Sequence, residues 1–171
     1  MIFHVFGGKC AGKTTVTSQL DKNEFATWDI REDFYIAEGI LKNDKMDWDA
    51  WRQKEHKIQE VVSEFIKNNS DKHIVIESSG FNRLLNTTIK WENPEAKEGR
   101  RKIIPVNMGM PTDEDTSLRA EKENLNVQET VKYNQNMRVN RYIPIKNLLP
   151  EKMNSPEEAL EFIKKTISKE D

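Results

Sequence analysis

The chain has 171 residues, of which 36% are hydrophobic and 33% charged, and its formal net charge at pH 7 is −2. This size fits one domain spanning residues 1–171, and the near-neutral charge argues against a general attraction to nucleic acid or to anionic membranes. No apolar stretch approaches the roughly 18 residues of a membrane span, and no charged leader precedes the first apolar run, so we expect a cytoplasmic protein. The single cysteine, Cys10, excludes an internal disulfide bond.

The first predicted element is a buried strand, residues 2–6, that runs directly into a glycine-rich loop. Residues 7–14 read GGKCAGKT and match the pattern G-x-x-x-x-G-K-[ST]. After a strand, this pattern lets backbone N–H groups surround a polyphosphate, while Lys13 contacts the β and γ oxygens and the Thr14 hydroxyl binds magnesium. The predicted nucleotide-binding residues are Gly7, Gly8, Lys9, Cys10, Ala11, Gly12, Lys13, Thr14 and Thr15.

The second predicted strand, residues 25–30, is followed by acidic and aromatic residues. Asp29 lies at its end, and Asp33 comes shortly before Phe34 and Tyr35. Phosphoryl transfer to a nucleoside needs a carboxylate that orients the acceptor or accepts its proton, and aromatic rings can stack on the base. The same residues also fit a helix cap made by either acid and a core position for Phe34, and the sequence leaves this alternative open.

A helical pattern comes next, and then a third strand, residues 73–77, which ends in an acid. The apolar face of the helical pattern, expected in the core, consists of Trp48, Trp51, Ile58, Val62 and Phe65. Glu77 ends the apolar strand, so it is expected at the carboxyl edge of the sheet, near the glycine-rich loop. We therefore predict that Glu77 binds magnesium or positions water, with a solvated strand-end charge as the alternative.

The fourth predicted strand, residues 102–107, leads into a polar, helix-permissive region with few core residues, residues 112–140. Phosphoryl transfer needs cations around the transferring group and a cover that excludes water. We predict a mobile lid within residues 109–140, in which Arg119 stabilises the transferring charge. Alternatively, Arg119 only pairs with Asp115 or Glu123 on a solvated helix.

A fifth strand is predicted over residues 141–145, and the segment Ser155-Pro156-Glu157-Glu158 signals the start of a final helix. Short apolar runs thus alternate with helical patterns along the chain, which is typical of parallel strands joined by crossover helices. The predicted fold class is α/β, with three layers in which helices cover both faces of a five-stranded parallel sheet.

These motifs resemble the P-loop kinases of nucleosides, nucleotides and other small metabolites, the adenylate-kinase-like group. The loop ending Gly12-Lys13-Thr14-Thr15 is typical of P-loop proteins, and Asp33-Phe34-Tyr35 resembles the acid-aromatic segment of uridine-kinase-type enzymes. Residues 79–83, Ser-Gly-Phe-Asn-Arg, are similar to the Asp-Gly-Phe-Pro-Arg segment of adenylate kinases. The resemblance implies a P-loop NTPase fold with sheet order 2-3-1-4-5, and a phosphate or carboxylate contact for Arg83.

We therefore expect transfer of the ATP γ-phosphoryl group to a small molecule, a nucleoside or nucleoside monophosphate, with ATP and Mg²⁺ as cofactors. No membrane or nucleic-acid partner is expected, and the sequence leaves a homodimer open. The predicted catalytic residues are Lys13, Asp33, Glu77 and Arg119, and the predicted metal ligands are Thr14 and Glu77. The predicted acceptor-binding residues are Asp29, Arg31, Phe34, Tyr35 and Arg83.

Two other function classes stay open. Glu77-Ser78-Ser79-Gly80 resembles the Glu-x-x-Gly element of one group of metal-insertion GTPases, which favours a nucleotide-hydrolysing switch. Against this, no [NT]-K-x-D guanine motif follows Asn107, and no Cys-x-Cys or paired-His metal site is present. The basic cluster at residues 100–102 favours, more weakly, a non-catalytic module that binds nucleotides or nucleic-acid ends.

Overall fold

The computed structural model describes residues 1–79 and 103–169. In chain order its strands are β1 (Ile2–Phe6), β2 (Phe25–Asp29), β3 (Leu41–Lys42), β4 (Lys45–Met46), β5 (His73–Ser78) and β6 (Ile103–Asn107). Four of these form a parallel sheet in the order β2-β5-β1-β6, which agrees with the predicted order of the first four parallel strands. Their predicted bounds are confirmed to within one residue, except at residue 102, which lies outside the described residues.

Helices lie on both faces of this sheet. The α-helices of the described residues are α1 (Lys13–Ser18), α2 (Trp48–Lys54), α3 (Ile58–Asn68), α4 (Asp113–Lys122), α5 (Val127–Met137) and α6 (Pro156–Ser168). Successive residues of a strand point to opposite faces, so β1 supplies Ile2 to one hydrophobic cluster and Phe3 to the other. The first cluster includes residues of α3, and the second includes residues of α1 and α6. The predicted α/β class with helices on both sheet faces is therefore confirmed for the described part of the chain.

The final helix begins where its sequence signal predicts. The Ser155 hydroxyl accepts a hydrogen bond from the Glu158 N–H at 3.1 Å, and Pro156 occupies the first helical position.

The apolar face predicted over residues 48–65 differs from its prediction. It is interrupted by a 3₁₀ turn, Glu55–Lys57, and the relative solvent exposure of Trp48 is 59%. Trp48 therefore does not belong to the core.

The predicted fifth strand was wrong. Residues 141–145 belong to two helical turns, a π-type turn over Arg138–Tyr142 and a 3₁₀ helix over Ile143–Leu148. Pro144 lacks the N–H that a sheet ladder needs, and 57% of Ile143 is exposed. The parallel sheet therefore has four strands within residues 1–79 and 103–169.

The β3–β4 hairpin was not predicted. Its two-residue turn, Asn43-Asp44, has φ values of 50° and 58°. Positive φ at both positions is the backbone of a tight hairpin turn, and Asn and Asp tolerate it better than most residues. No helix in the described ranges is both long and apolar enough to cross a membrane.

Candidate functional site

The loop between β1 and α1, residues 7–14 (the glycine loop), has a conformation that depends on its glycines. Gly12 has a φ of 93°, in the region that L side chains rarely adopt. A Cβ at Gly7 would lie 2.8 Å from the Gly109 carbonyl oxygen, because the Gly109 backbone packs directly on the loop. The Gly8 N–H donates to this same oxygen at 2.9 Å. The loop is thus held against the segment that follows β6.

Lys13 places a positive charge inside the curve of the glycine loop. Its Nζ donates to the carbonyl oxygens of Gly7 at 2.7 Å and of Gly8 at 2.8 Å. Burial lowers the pKa of Lys13 to about 8, although the negative charges of Glu77 and Asp29 oppose this shift. The side chain is therefore an incompletely solvated cation that an additional anion would stabilise.

Glu77 lies beside α1 and contacts two of its hydroxyl groups. Thr14 Oγ1 donates to Glu77 Oε1 at 2.8 Å, and Thr17 Oγ1 donates to Glu77 Oε2 at 3.0 Å. Glu77 is buried because the strand alternation directs it to the sheet face that α1 covers, the face that also carries Val75. Thr17 was missed by the sequence analysis, although its spacing of one helical turn from Thr14 places both hydroxyls on one side of α1.

These groups form a set of hard oxygen donors suited to Mg²⁺. The Thr14 hydroxyl and the Glu77 carboxylate lie in direct contact, and Mg²⁺ is usually bound by one or two protein oxygens together with phosphate oxygens and water. Within the described ranges, no three or more His, Cys, Asp or Glu residues are placed so that together they could hold a metal ion. The residues present therefore fit a metal shared with a polyphosphate better than a metal held by protein ligands alone.

Asp29 is the second carboxylate at this edge of the sheet. The register of β2 and β5 pairs Asp29 with Glu77, so the two acids lie on neighbouring strands. Burial and, next, the negative charge of Glu77 raise the pKa of Asp29 to about 6, although a hydrogen bond from the Arg31 N–H opposes the shift. Asp29 is thus an acid that titrates near neutral pH beside the glycine loop.

We expect Asp29→Asn to stabilise the unliganded protein at pH 7.5 by about 1 kcal/mol, a Tm increase of about 2–4 °C. The pKa of Asp29 in the folded protein, about 6, is above the reference value of 3.8. The folded protein therefore loses stability relative to the unfolded chain as the pH rises from about 4 to 6, and this loss is constant at higher pH. The gain should therefore be absent at pH 4. Thermal unfolding at both pH values checks this, with Asp21→Asn as the control, because the Asp21 carboxylate likewise accepts a backbone N–H, at 2.9 Å. A lower Tm for Asp29→Asn at pH 7.5 would contradict the prediction.

The other predicted acceptor residues have different environments. The Asp33 carboxylate accepts the Asp29 N–H at 2.8 Å and so holds the turn after β2, while the predicted catalytic role of Asp33 stays a prediction. Arg31 pairs with Glu32 at 2.7 Å and with Asp44 at 2.8 Å. Arg31 also lines an open depression of about 510 Å³ beside the β3–β4 hairpin. Tyr35 packs against the core, and Arg83 lies outside the described residues.

The prediction that Phe34 binds the acceptor needs correction. Phe34 has no exposed surface and belongs to the hydrophobic cluster that also contains Ile30 and Ile40. Its ring is therefore part of the core and is not presented to a ligand in this structure. The core alternative that the sequence left open is the one observed.

The predicted lid region forms a helical pair, α4 and α5, that contacts the glycine loop through its backbone. Arg119 Nη1 donates to the Cys10 carbonyl oxygen at 2.6 Å. Asn134 of α5, which the sequence analysis missed, bonds both the N–H and the carbonyl of Lys9. The Lys9 Nζ lies 4.4 Å from the centroid of the Tyr133 ring. Arg119 thus contacts the glycine loop, and its role in stabilising the transferring charge stays a prediction.

Cys10 and Thr15 are two further residues that the sequence predicts to bind the nucleotide. Cys10 adopts a φ of 64°, and burial raises the pKa of its thiol, which disfavours the reactive thiolate. Thr15 is exposed and follows Thr14 in the first turn of α1.

Of the predicted site residues, the structure brings Lys13, Thr14, Glu77 and Asp29 together around the glycine loop.

Comparison with known proteins supports the fold. No protein-family model matches the chain, and no curated protein matches it. A solved structure described as an uncharacterized protein from Eubacterium ventriosum ATCC 27560 is similar, with a TM-score of 0.50, 15% identity and alignment over 98% of each chain. At this identity the similarity is evidence for a shared fold alone.

Proposed function

We propose that this protein is an ATP-dependent phosphotransferase that moves the γ-phosphoryl group to a small acceptor, a nucleoside or nucleoside monophosphate. The observation that carries the proposal is the convergence of the Lys13 ammonium and the Thr14–Glu77 oxygen pair on the glycine loop. These are the cation and the magnesium ligands that a bound nucleoside triphosphate requires. The strand order β2-β5-β1-β6 also fits the first four positions of the P-loop kinase order 2-3-1-4-5.

In this proposal each residue has a separate task. Lys13 leaves the carbonyls of Gly7 and Gly8 and binds the β and γ oxygens of the donor. Thr14 and Glu77 hold Mg²⁺, which neutralises developing charge on the phosphates when bound. Asp29 orients the acceptor and accepts its hydroxyl proton, for which a pKa of about 6 is well suited. Arg119, already hydrogen-bonded to the loop, stabilises charge on the transferring group.

A panel assay tests this function. The purified protein is incubated with Mg-ATP or Mg-GTP and with nucleosides, monophosphates, sugars and hydroxy acids, and ADP or GDP and the phosphorylated product are quantified. ADP release that requires a particular acceptor, together with its phosphorylated product, is the expected result. Slow release without any acceptor, faster with GTP, would contradict the kinase and favour a hydrolysing switch. Binding of a nucleic-acid end without turnover would instead favour a non-catalytic module.

A further inference from the structure

The Asn134 carboxamide of α5 is bonded to the backbone of the glycine loop through both its donor and its acceptor. The Asn134 Oδ1 accepts the Lys9 N–H at 2.9 Å, and its Nδ2 donates to the Lys9 carbonyl oxygen at 2.9 Å. The same Nδ2 lies 3.2 Å from Thr116 Oγ1 of α4. Asn134 has no exposed surface, so these bonds have little competition from water. A donor and an acceptor on one short side chain therefore fix the Lys9 peptide.

These bonds lie next to the strained point of the loop. Cys10 has a φ of 64°, in the left-handed region that non-glycine residues rarely adopt. Asn134 holds the residue before Cys10, and Arg119 holds the Cys10 carbonyl. Side chains from both helices of the α4–α5 pair thus stabilise a backbone conformation that the loop alone would not prefer.

The hydrogen bonds also determine which loop amides are available. The Gly8 N–H donates to Gly109, the Lys9 N–H to Asn134, and the Ala11 N–H to the Gly8 carbonyl at 3.3 Å. In the described part of the chain, the N–H groups of Cys10, Gly12, Lys13 and Thr14 have no acceptor. The Lys9 N–H is therefore not available to a ligand, whereas the N–H groups of Cys10, Gly12, Lys13 and Thr14 are available.

We infer that Asn134 is a positioning residue that fixes the Lys9–Cys10 backbone and so sets the polyphosphate-binding shape of the glycine loop. This inference rests on the proposed function, because it concerns the same nucleotide site. Without Asn134 the loop populates other conformations, and the apparent affinity falls with the fraction of molecules that remain competent.

The test compares Asn134→Ala and Asn134→Asp with a matched control, Asn136→Asp, at an exposed position of the same helix. Binding of Mg-ATP and of inorganic tripolyphosphate is measured by calorimetry at pH 5 and pH 8. Each affinity is divided by that of the unmodified protein at the same pH, which removes the titration of Lys13, Asp29 and the phosphates. The surrounding charged groups are common to all the proteins: Lys9 and the groups that act on it, Arg31, Asp44 and Glu129, together with Arg119 and the Arg138–Asp113 pair.

We expect Asn134→Ala to bind both probes about tenfold more weakly at both pH values. Asn134→Asp should bind about tenfold more weakly at pH 8, where its carboxylate repels the Lys9 carbonyl oxygen. At pH 5 it should recover most of the affinity, because the burial of position 134 raises the pKa of the introduced carboxyl group, and the protonated group has one donor and one acceptor, as the carboxamide has. Asn136→Asp should stay within twofold of the unmodified protein. A merely structural loss would not be restored by acid, so equal weakening of Asn134→Asp at both pH values would overturn the inference, as would unchanged binding.

A measurement without ligand separates this inference from the proposed function. Amide hydrogen exchange of the Lys9 N–H in the free protein should be at least tenfold faster in Asn134→Ala than in the unmodified protein, at equal global stability. Unchanged exchange would overturn the positioning role whatever the ligand is. If the unmodified protein binds neither probe, the proposed nucleotide site is wrong, and faster exchange in the variant would still support Asn134 as the residue that shapes the loop.

Discussion

Replacing Lys13 by methionine is expected to lower acceptor-dependent ADP release at least about hundredfold. The change keeps most of the side-chain volume but removes the cation that the glycine loop surrounds, and such a charge is worth most where it is incompletely solvated. Steady-state product formation, measured by chromatography at saturating Mg-ATP, checks the prediction. A variant that retains more than a tenth of the activity would exclude Lys13 from the reaction.

The same variant removes a proton-uptake signal. Burial holds the pKa of Lys13 at about 8 in the unliganded protein, and a bound polyphosphate raises it by favouring the ammonium form. Nucleotide binding should therefore take up protons at pH 8 to 9, and calorimetry in buffers of different ionisation enthalpy detects this. The uptake should vanish in Lys13→Met, whereas proton release on binding to the unmodified protein would contradict the assignment.

Lys9→Met is the matched comparison within the same loop. The Lys9 ammonium lies over the Tyr133 ring, whereas the Lys13 ammonium donates to the Gly7 carbonyl inside the loop. Lys9→Met therefore removes a neighbouring cation and leaves the Lys13 cation in place. We expect less than about a fivefold loss of activity, since a single exposed cation contributes little. Thermal unfolding of both variants shows whether a loss of activity follows from a loss of folded protein.

The sequence predicted the parts of this molecule that depend on local patterns. The glycine loop follows from a contiguous motif, and the first four parallel strands follow from short apolar runs bounded by turns. The strand predicted over residues 141–145 failed because an alternation of apolar residues does not make a strand without a neighbour to pair with, and Pro144 weakens any such pairing. The β3–β4 hairpin was missed because Asn43-Asp44 was not recognised as a turn signal.

The candidate site was predictable only where a residue lies in or next to a strand end. Glu77 and Asp29 were found because parallel strands bring their carboxyl ends to one edge of the sheet. Asn134 lies 125 residues from Lys9 in the chain, and nothing in the sequence around Asn134 indicates that its carboxamide bonds a distant backbone. Phe34 was assigned to the ligand because the sequence alone does not show which side of the turn after β2 faces the core.

Replacing Glu77 by glutamine is expected to reduce turnover about hundredfold and to raise the Mg²⁺ concentration needed for half-maximal activity several-fold. Glutamine keeps one oxygen that can accept from one of the two threonine hydroxyls, and its NH₂ group can donate to the other, so one of the bonds at 2.8 and 3.0 Å re-forms and the other reverses direction, while the negative charge is lost. A neutral amide is a weaker ligand for Mg²⁺ than a carboxylate. Titration of activity with Mg²⁺ at fixed ATP measures the shift, and an unchanged Mg²⁺ dependence would remove Glu77 from the metal site.

Asp29→Asn is the matched control, because it removes one carboxylate from the same edge of the sheet. Asp29 pairs with Glu77 in the strand register but accepts the Arg31 N–H, with no hydrogen bond to Thr14 in the described residues. Its replacement should therefore leave the Mg²⁺ dependence unchanged while removing the acid limb of the pH–rate profile near pH 6. A Mg²⁺ shift of the same size in both variants would mean that it reflects only the lost charge, and that neither acid is assigned as a ligand.

The pH–rate profile of Glu77→Gln tests the electrostatic coupling within the site. The Glu77 charge raises the pKa values of both Asp29 and Lys13. Removing it should lower both, so the acid limb, set by Asp29, and the alkaline limb, set by Lys13, should move together to lower pH. If both limbs stay in place while activity falls, the Glu77 charge does not act on the two titrating groups. If both move, the three charged groups act as one site around the glycine loop.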